Sequence, residues 1–534
     1  MEKMIVKPGK TKNHIIVTNP EQVVDPHYLL GAVKMYNTDN DWRVERNYIN
    51  YYQLGLRNLI PQLIWKSIEP LAKAVAVAKL DPDLEEGLFD YQKLDVHRGM
   101  VQKQYMNANP MGYGKTVETV ATLRSLGVKN TLVLAPKPVL LQWQKEFMEW
   151  WSNRDTSVRC PNIRVLHAGE AVPSVQECSE SIIITNYESL QNKDRLQTFQ
   201  SLNWDCLVLD ESHRIKNGKK SMKKKGSQVW QNVTTLQAKR KMWLTGTPIL
   251  SYVDDLWAQL WALDPLYVGN SYWNFVHFFC TVRDGHFGKE IGGLSRDPEK
   301  VRLLNWLVDL ATIRHKDLKL TPGKNIHIIP LRMDDKQRKY YATARELVFE
   351  NLPEELTISN AMTHLLRLRQ LTSCPEQFFE DSSNIKFDWI ENVLTDNPDI
   401  KLVVFSEWST PLVHLAKRLG KQMVLYHGKQ SEEQNEKAKQ MFISNSNTRV
   451  IGGTIGSMGT GVDELQKGSN KVVFLDRNWS PEINKQAMDR LDRIGQKEVV
   501  DVYFLEAKGS MDKHVARINL TKAEDIKLAL QEEL

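Results

Sequence analysis

Cysteine is scarce. Only Cys160, Cys178, Cys206, Cys280 and Cys374 occur in 534 residues, with no C-x-x-C pair among them. This scatter argues against a disulfide frame or a cysteine-built zinc site and fits a reducing compartment. No apolar run approaches the ~20 residues that a bilayer span needs. The opening "MEKMIVKPGKTKNHIIV" also lacks a secretory apolar region. The chain is therefore expected to stay in the cytoplasm, with no membrane partner. Its net charge of +6 is mild and permits a nucleic-acid partner without requiring one. Short-period repeats are missing too, which excludes a solenoid.

A chain of this length exceeds what one core holds, so two or more domains are expected. From "YQKLDVHRGM" onward, apolar runs alternate with helical patterns. "TLVLAP" (131–136), "SIIITNY" (181–187), "DCLVLDE" (205–211) and "KMWLTGTP" (241–248) are buried-strand candidates, with helices such as "VLLQWQKEFMEWW" between them. Strand and helix repeated in this way imply a parallel sheet covered on both faces. Residues 250–320 and 334–380 read as mainly helical, rich in Trp, Leu and Tyr, and core packing explains those aromatics better than base stacking. A second alternating block follows: "IKLVVFSEW", "QMVLYHG", "RVIGGT", "KVVFLD" and "VVDVYFLEA". The fold class is thus α/β, with two parallel-sheet lobes and helical insertions between motifs. The expected organisation is an accessory region of unknown role over 1–84, a first lobe over 85–325 and a second lobe over 326–534.

Three short stretches carry chemistry. "ANPMGYGKTVETV" (108–120) contains the Gly-Lys-Thr of a phosphate loop but has Asn109 where G-x-x-x-x-G-K-[ST] wants its outer glycine. Gly112 and Gly114 supply the turn, Lys115 a cation for phosphates and Thr116 a hydroxyl for Mg²⁺, with a helix following as anion binding requires. "CLVLDESH" ends a strand on Asp210 and Glu211, about 95 residues after Lys115. The first acid can hold Mg²⁺ through water and the second can orient and deprotonate an attacking water. "QAMDRLDRIGQ" (486–496) reads as a helix with Arg490 and Arg493 on one face. The run "KNGKKSMKKKG" (216–226) is either a solvated loop or a set of phosphate contacts.

Taken in order, "YQKLDVHRG", "PMGYGKT", "APKPVLLQWQKEF", "TNYESL", "LDESHRIKN", "LTGTP", "LRLRQLTSCPE" and "QAMDRLDRIGQ" resemble the SWI/SNF-type DNA translocases of helicase superfamily two. "LTGTPILSYVDDLWAQLWALDP" and the closing "RIGQ" are the most specific of these, and the resemblance covers about residues 88–515. It implies two RecA-like lobes. It also implies that Gln92 reads adenine and that Gly112, Tyr113, Gly114, Lys115 and Thr116 bind ATP. Asp210 and Thr116 would hold Mg²⁺, and Glu211 would be the acid-base residue. Thr245, Gly246 and Thr247 would couple nucleotide state to the track. Arg493 resembles an arginine finger with Arg490 beside it, and the segments around Lys137, Tyr187, Ser406, Thr454 and Trp479 resemble backbone-tracking ones. Two departures stand out: Asn109-Pro110 replaces the family's usual Asp-Glu, and "GTGVDELQKGSNKVVF" exceeds the usual spacing.

The function implied is that of an ATP-driven motor on the backbone of double-stranded DNA. Hydrolysis would be completed when residues of the second lobe meet the nucleotide held by the first. A nucleoid-associated location, or a host's cytoplasm for a viral source, would follow. Two alternatives remain open at this point. One is a strand-separating or branch-migrating helicase on DNA or RNA, and the other a non-hydrolysing nucleic-acid clamp.

Overall fold

The computed structural model describes residues 4–9, 11–18, 23–35, 41–54, 80–152, 158–167, 169–218, 225–285, 288–315, 318, 320–350, 358–379, 382–428 and 430–531. The middle of the lysine run (219–224) and residues 55–79 of the accessory region lie outside the described residues. Two compact units divide the chain: Met1–Lys316 with Glu524–Leu534, and Asp317–Ala523. The boundary expected at 325/326 therefore falls earlier, and the last residues leave the expected second lobe. The physical reason is pairing. The strand Lys324–Leu331 hydrogen-bonds along its length to Val500–Ala507, whereas Asp525 accepts from Leu294 N at 3.1 Å and from Arg296 at 2.7 Å.

In the first unit, β1 (Ile5–Pro8), β2 (His14–Thr18), β3 (Val33–Lys34) and β4 (Asp41–Glu45) make an antiparallel sheet in the order β1-β2-β4-β3. Strand β2 alternates, burying Ile15 and Val17 and half-exposing its other residues, the signature of a one-sided sheet. Glu45 closes β4 and is buried. Burial pushes its carboxyl up, and it accepts from Asn270 N at 2.6 Å and Asn274 Nδ2 at 3.2 Å in opposition.

The larger sheet of this unit comprises β5 (Gln104–Asn107), β6 (Thr131–Ala135), β7 (Asn162–Leu166), β8 (Ser181–Asn186), β9 (Asn203–Asp210), β10 (Gln237–Leu244) and β13 (Thr312–Ile313). Every pairing is parallel, in the order β13-β5-β10-β9-β6-β8-β7. All residues of β6 and β8 are buried, which is why these strands read as continuous apolar runs rather than alternating ones. Between β10 and β13 the chain forms helices Asp255–Leu263, Tyr272–Phe279 and Pro298–Ala311. It also forms a hairpin, β11 (Cys280–Gly285) with β12 (Gly288–Leu294), that a mainly helical reading of 250–320 did not contain. Trp230, Trp257 and Trp261 stack on one another with centroids 5.1 to 6.5 Å apart. Trp230 and Trp257 are buried, so core packing accounts for them. Ile526, Ala529 and Leu530 join the same apolar core, and Arg314 donates to Leu530 O at 3.0 Å. Arg124, fully buried, is held by Asp81 at 2.9 Å and Asp83 at 2.6 Å.

The second unit is built on β14 (Lys324–Leu331), β15 (Leu402–Ser406), β16 (Met423–Tyr426), β17 (Val450–Thr454), β18 (Lys471–Phe474) and β19 (Val500–Ala507). They are all parallel, in the order β14-β19-β18-β15-β17-β16. The expected helical protrusion appears as Asp335–Glu350 and Ile358–Ser373. Two parallel-sheet α/β lobes, as expected, make up the chain.

A buried ion pair fixes the helix Ile385–Asp396 to this sheet. Lys386 Nζ donates to Asp512 Oδ2 at 2.7 Å and to Leu475 O at 2.5 Å, and Asp512 also accepts from Ala507 N and Thr372. Lys386→Met would strand a carboxylate in the interior and is expected to destabilise the second unit by about 3 kcal/mol. Calorimetric melting of the variant checks this, and an unchanged transition would refute it.

Candidate nucleotide site

Register sets the site. Leu244 of β10 lies opposite both Asn107 of β5 and Asp210 of β9. Three neighbouring strands therefore end at one level of a parallel sheet, the edge where α/β proteins bind ligands. The segments leaving that edge are the glycine loop before Lys115, the acidic pair Asp210–Glu211 and Thr245–Thr247.

After β5 the chain turns through Ala108–Gly114 into the helix Lys115–Ser125. Gly112 and Gly114 have φ of +80° and +83°, conformations that cost an L-residue about 1–2 kcal/mol. A Cβ on Gly114 would also lie 2.3 Å from Gln92 Nε2. Lys115 Nζ donates to Asn109 O at 2.9 Å and Pro110 O at 3.0 Å. Proline is tolerated because the loop uses its carbonyl, not the N–H it lacks. Tyr113 O accepts from Tyr91 at 2.8 Å and from Gln92 Nε2 at 3.2 Å, while Gln92 Oε1 accepts from Phe89 N at 3.0 Å. Thr116 sits half-buried in the first turn of the helix.

Beneath the loop lies a buried polar cluster that sequence reading did not anticipate. Asn109 Nδ2 donates to Asp95 at 2.6 Å and to Glu118 at 3.4 Å, and its Oδ1 accepts from His315 N at 3.1 Å. Asn107 Nδ2 donates to Glu118 at 2.5 Å. Burial, and then Asp95, push the Glu118 carboxyl upward against these donors.

After β9, Asp210 is enclosed. Trp143 Nε1 donates to its Oδ2 at 2.9 Å, Glu211 N to its Oδ1 at 3.0 Å, and Tyr187 Oη to its backbone carbonyl at 2.6 Å. Burial raises the Asp210 carboxyl, Glu211 adds to the rise, and Trp143 and Lys115 oppose it. Glu211 has φ +51° and ψ +54°, a left-handed conformation that non-glycine residues keep mainly where the surroundings enforce it. His213 Nδ1 lies 3.3 Å from Glu211 Oε2 and 3.3 Å from Thr245 Oγ1, linking the acidic pair to the segment after β10. There Thr247 N donates to Thr245 Oγ1 at 3.0 Å, and a Cβ on Gly246 would lie 3.0 Å from Met111 Cγ. The Thr245–Thr247 segment thus rests directly on the loop that holds Met111. His213 stood within "LDESHRIKN" and was legible as a polar neighbour; Trp143 gave only a helical apolar signal.

Thr116 and Asp210 offer hard oxygen donors, and among the described residues no group of three or more His, Cys, Asp or Glu could hold a metal alone. That donor set fits Mg²⁺, which keeps several waters and takes substrate phosphates as ligands.

In the second unit the helix Pro481–Met488 stops before the arginines. The expectation that Arg490 and Arg493 share one helical face is therefore corrected. Lys324 draws Asp489 and Asp492 to itself at 2.6 and 2.8 Å, and the chain continues in turns. Arg490 is buried, donating to Gly459 O at 2.8 Å. Arg493 is mostly buried and pairs with Asp463, a half-exposed carboxylate, while its Nε donates to Asp489 O at 3.1 Å.

The tracking residues separate into two groups. Tyr187 and Ser406 are corrected: Tyr187 is buried under Asp210, and Ser406 is buried with its Oγ donated to Asp476 at 2.7 Å, so neither side chain reaches a polymer. Lys137 is exposed in a turn after β6. Thr454 caps the helix Ile455–Gly461. Trp479 is half-buried, with the Arg369 guanidinium 4.9 Å from its ring and 4.9 Å from that of Trp408.

A glycine turn, a lysine, an acidic pair and a threonine segment on one parallel edge, followed by a second parallel-sheet unit, define a helicase-like nucleotide-binding protein. The family model for the SNF2-related domain matches residues 96–377, more than half of the chain, and that for the helicase conserved C-terminal domain matches residues 385–495. The chain belongs to the SNF2-related family. It is similar to an uncharacterized ATP-dependent helicase of Mycoplasma pneumoniae, 26% identical over 90% of this chain and 46% of the relative. It is also similar to the SWI/SNF-related matrix-associated actin-dependent regulator of chromatin subfamily A-like protein 1 of Xenopus tropicalis, 24% identical over 83% of this chain and 45% of the relative. The chain spans less than half the length of these curated relatives. Among solved structures, a Sulfolobus solfataricus SWI2/SNF2 ATPase core in complex with dsDNA is 21% identical, with a TM-score of 0.38, covering 86% of this chain and 98% of that one.

Gly114→Ala must adopt φ +83° and is expected to weaken ATP binding by about tenfold, from the ~1–2 kcal/mol strain of that conformation. Gly323→Ala, at φ +90° with nothing within 4 Å, is the matched control and should leave affinity unchanged. Titration of a fluorescent ATP analogue measures both; equal affinities would refute the assignment.

Proposed function

We propose that this chain hydrolyses ATP with Mg²⁺ and uses the cycle to move along double-stranded DNA without separating its strands. The observation that carries the reading is the convergence of Lys115, Asp210, Glu211 and Thr245–Thr247 on one sheet edge. Relatives named as ATP-dependent helicases support it, one of them a probable ATP-dependent DNA helicase of Arabidopsis thaliana.

In this reading the N–H groups at the start of the Lys115–Ser125 helix and the Lys115 ammonium hold the β- and γ-phosphates. Gln92 meets adenine. Glu211, held by its strained backbone and by His213, orients the attacking water and takes its proton. Thr116 and Asp210 would hold Mg²⁺, which supplies charge neutralisation at the phosphates. Arg493, with Arg490 beside it in sequence, supplies positive charge that stabilises the transition state. Thr245, Gly246 and Thr247 pass the state of the loop to the rest of the unit. On the polymer, Lys137, Thr454 and Trp479 contact the phosphate backbone, so sequence preference is slight.

ATP turnover is to be measured with duplex DNA, single-stranded DNA, RNA and no polymer, beside a strand-displacement assay. Duplex-stimulated turnover without displacement is expected. Displacement would favour a strand-separating helicase, and no turnover under any condition a passive clamp. Glu211→Gln should retain ATP and lose at least ~100-fold in turnover; wild-type turnover in that variant would remove Glu211 as the base. Lys115→Ala should lose nucleotide binding, whereas Arg493→Ala should bind ATP and DNA yet turn over slowly.

A further inference from the structure

Asn109 occupies the place of the outer glycine in the phosphate-loop pattern, and its side chain is fully buried. An interior amide at this point calls for a reason beyond tolerance. Its surroundings give one. Asp95 and Glu118 are both buried carboxylates, 5% and 2% exposed, and such groups need hydrogen-bond donors. Asn109 Nδ2 is a donor to both, at 2.6 and 3.4 Å. On the other side its Oδ1 accepts the His315 backbone N–H at 3.1 Å. A side-chain amide offers a donor and an acceptor from one planar group whatever the pH. An aspartate here would face two further carboxylates with no donor of its own. The chemistry of residue 109 is thus dictated by its neighbours rather than left over from a lost motif.

The cluster also reaches the loop by a second route. His315 Nε2 lies 2.9 Å from Asp95 Oδ1, and the His315 ring meets that of Tyr91 edge-on with centroids 5.4 Å apart. Tyr91 in turn donates to Tyr113 O at 2.8 Å. His315 follows β13, which pairs with Met106 and Asn107 of β5, and Ala108 N donates to Ile313 O at 2.8 Å. One histidine therefore braces residue 109 through one contact and residue 113 through another. Meanwhile the Asn109 carbonyl is itself a partner of Lys115 Nζ.

We infer that Asp95, Asn109 and His315 are positioning residues for nucleotide binding, a buried clamp that holds the phosphate loop in the shape that presents Lys115. None of the three touches the nucleotide. They act through the backbone at 109 and 113. The inference rests on the ATP-binding reading above.

The test is an exchange of groups in the full chain, read by titration of a fluorescent ATP analogue and by steady-state turnover. Asn109→Asp removes the donor and is expected to weaken ATP binding about tenfold, as an unsatisfied buried pair does, with KM rising more than kcat falls. The double variant Asn109→Asp with Asp95→Asn restores one donor and one acceptor across the same contact. It should recover affinity to within roughly threefold of wild type, the coupling expected of directly bonded residues. A role confined to stability would show no such recovery. Wild-type affinity in Asn109→Asp, or a double variant no better than the single one, overturns the inference. If Asn109→Asp does not fold, His315→Ala leaves every loop residue in place and should still weaken ATP binding by about threefold; undiminished affinity there overturns it equally. Failure of the wild-type chain to bind ATP would instead remove the functional reading itself.

Discussion

The parallel register of β5, β10 and β9 is the constraint on which the site depends. Parallel strands all point their carboxyl ends the same way, so the loops that follow Asn107, Leu244 and Asp210 begin side by side although they are far apart in sequence. An antiparallel partner anywhere among the three would send one loop to the opposite edge. Burial anchors the carboxyl ends of these strands: Tyr105–Asn107, Cys206–Leu209 and Met242–Leu244 are all buried, which pins the level at which the loops begin.

Around that edge the polar groups are buried in excess of what surface chemistry would require. Asp95 and Glu118 lie in the interior and Asp210 is half-buried at its edge, and each is met by a specific donor: the Asn109 amide, the Asn107 amide and the Trp143 indole. Buried carboxyl groups tolerate little rearrangement, because any movement that breaks a bond leaves an interior polar group unpaired. A site made this way is stiff where the phosphates bind. The left-handed backbone at Glu211 fits the same pattern of local strain held by its surroundings.

Much of this was legible in the sequence, for identifiable reasons. Strands buried on both faces leave unbroken apolar runs, so "TLVLAP" and "CLVLDE" announced themselves, and glycines at positive φ left Gly112 and Gly114 in plain view. What the sequence hid was side-chain direction. Tyr187 and Ser406 stand in segments that resemble strand-tracking ones, yet both side chains point inward, because a strand end has two faces and only the fold decides which is covered. The arginines at 490 and 493 keep helical spacing, but the helix stops at Met488 and Arg490 is buried against Gly459 O, while Lys324, distant in sequence, gathers Asp489 and Asp492. Asn109 read only as a departure from the motif, because its partners, Asp95 and His315, are contributed by segments on either side of it.

The final turns of the chain carry an implication for how the molecule is made. Ile526, Ala529 and Leu530 belong to the apolar core of the first unit, Asp525 accepts from Leu294 N at the end of β12, and Leu530 O accepts from Arg314. Of the two units, the one whose residues begin earlier in the sequence is therefore completed later. Until residue 530 has been translated, a nascent first lobe keeps part of its interior wet, whereas the residues of the second unit, Asp317–Ala523, have all been synthesised by then.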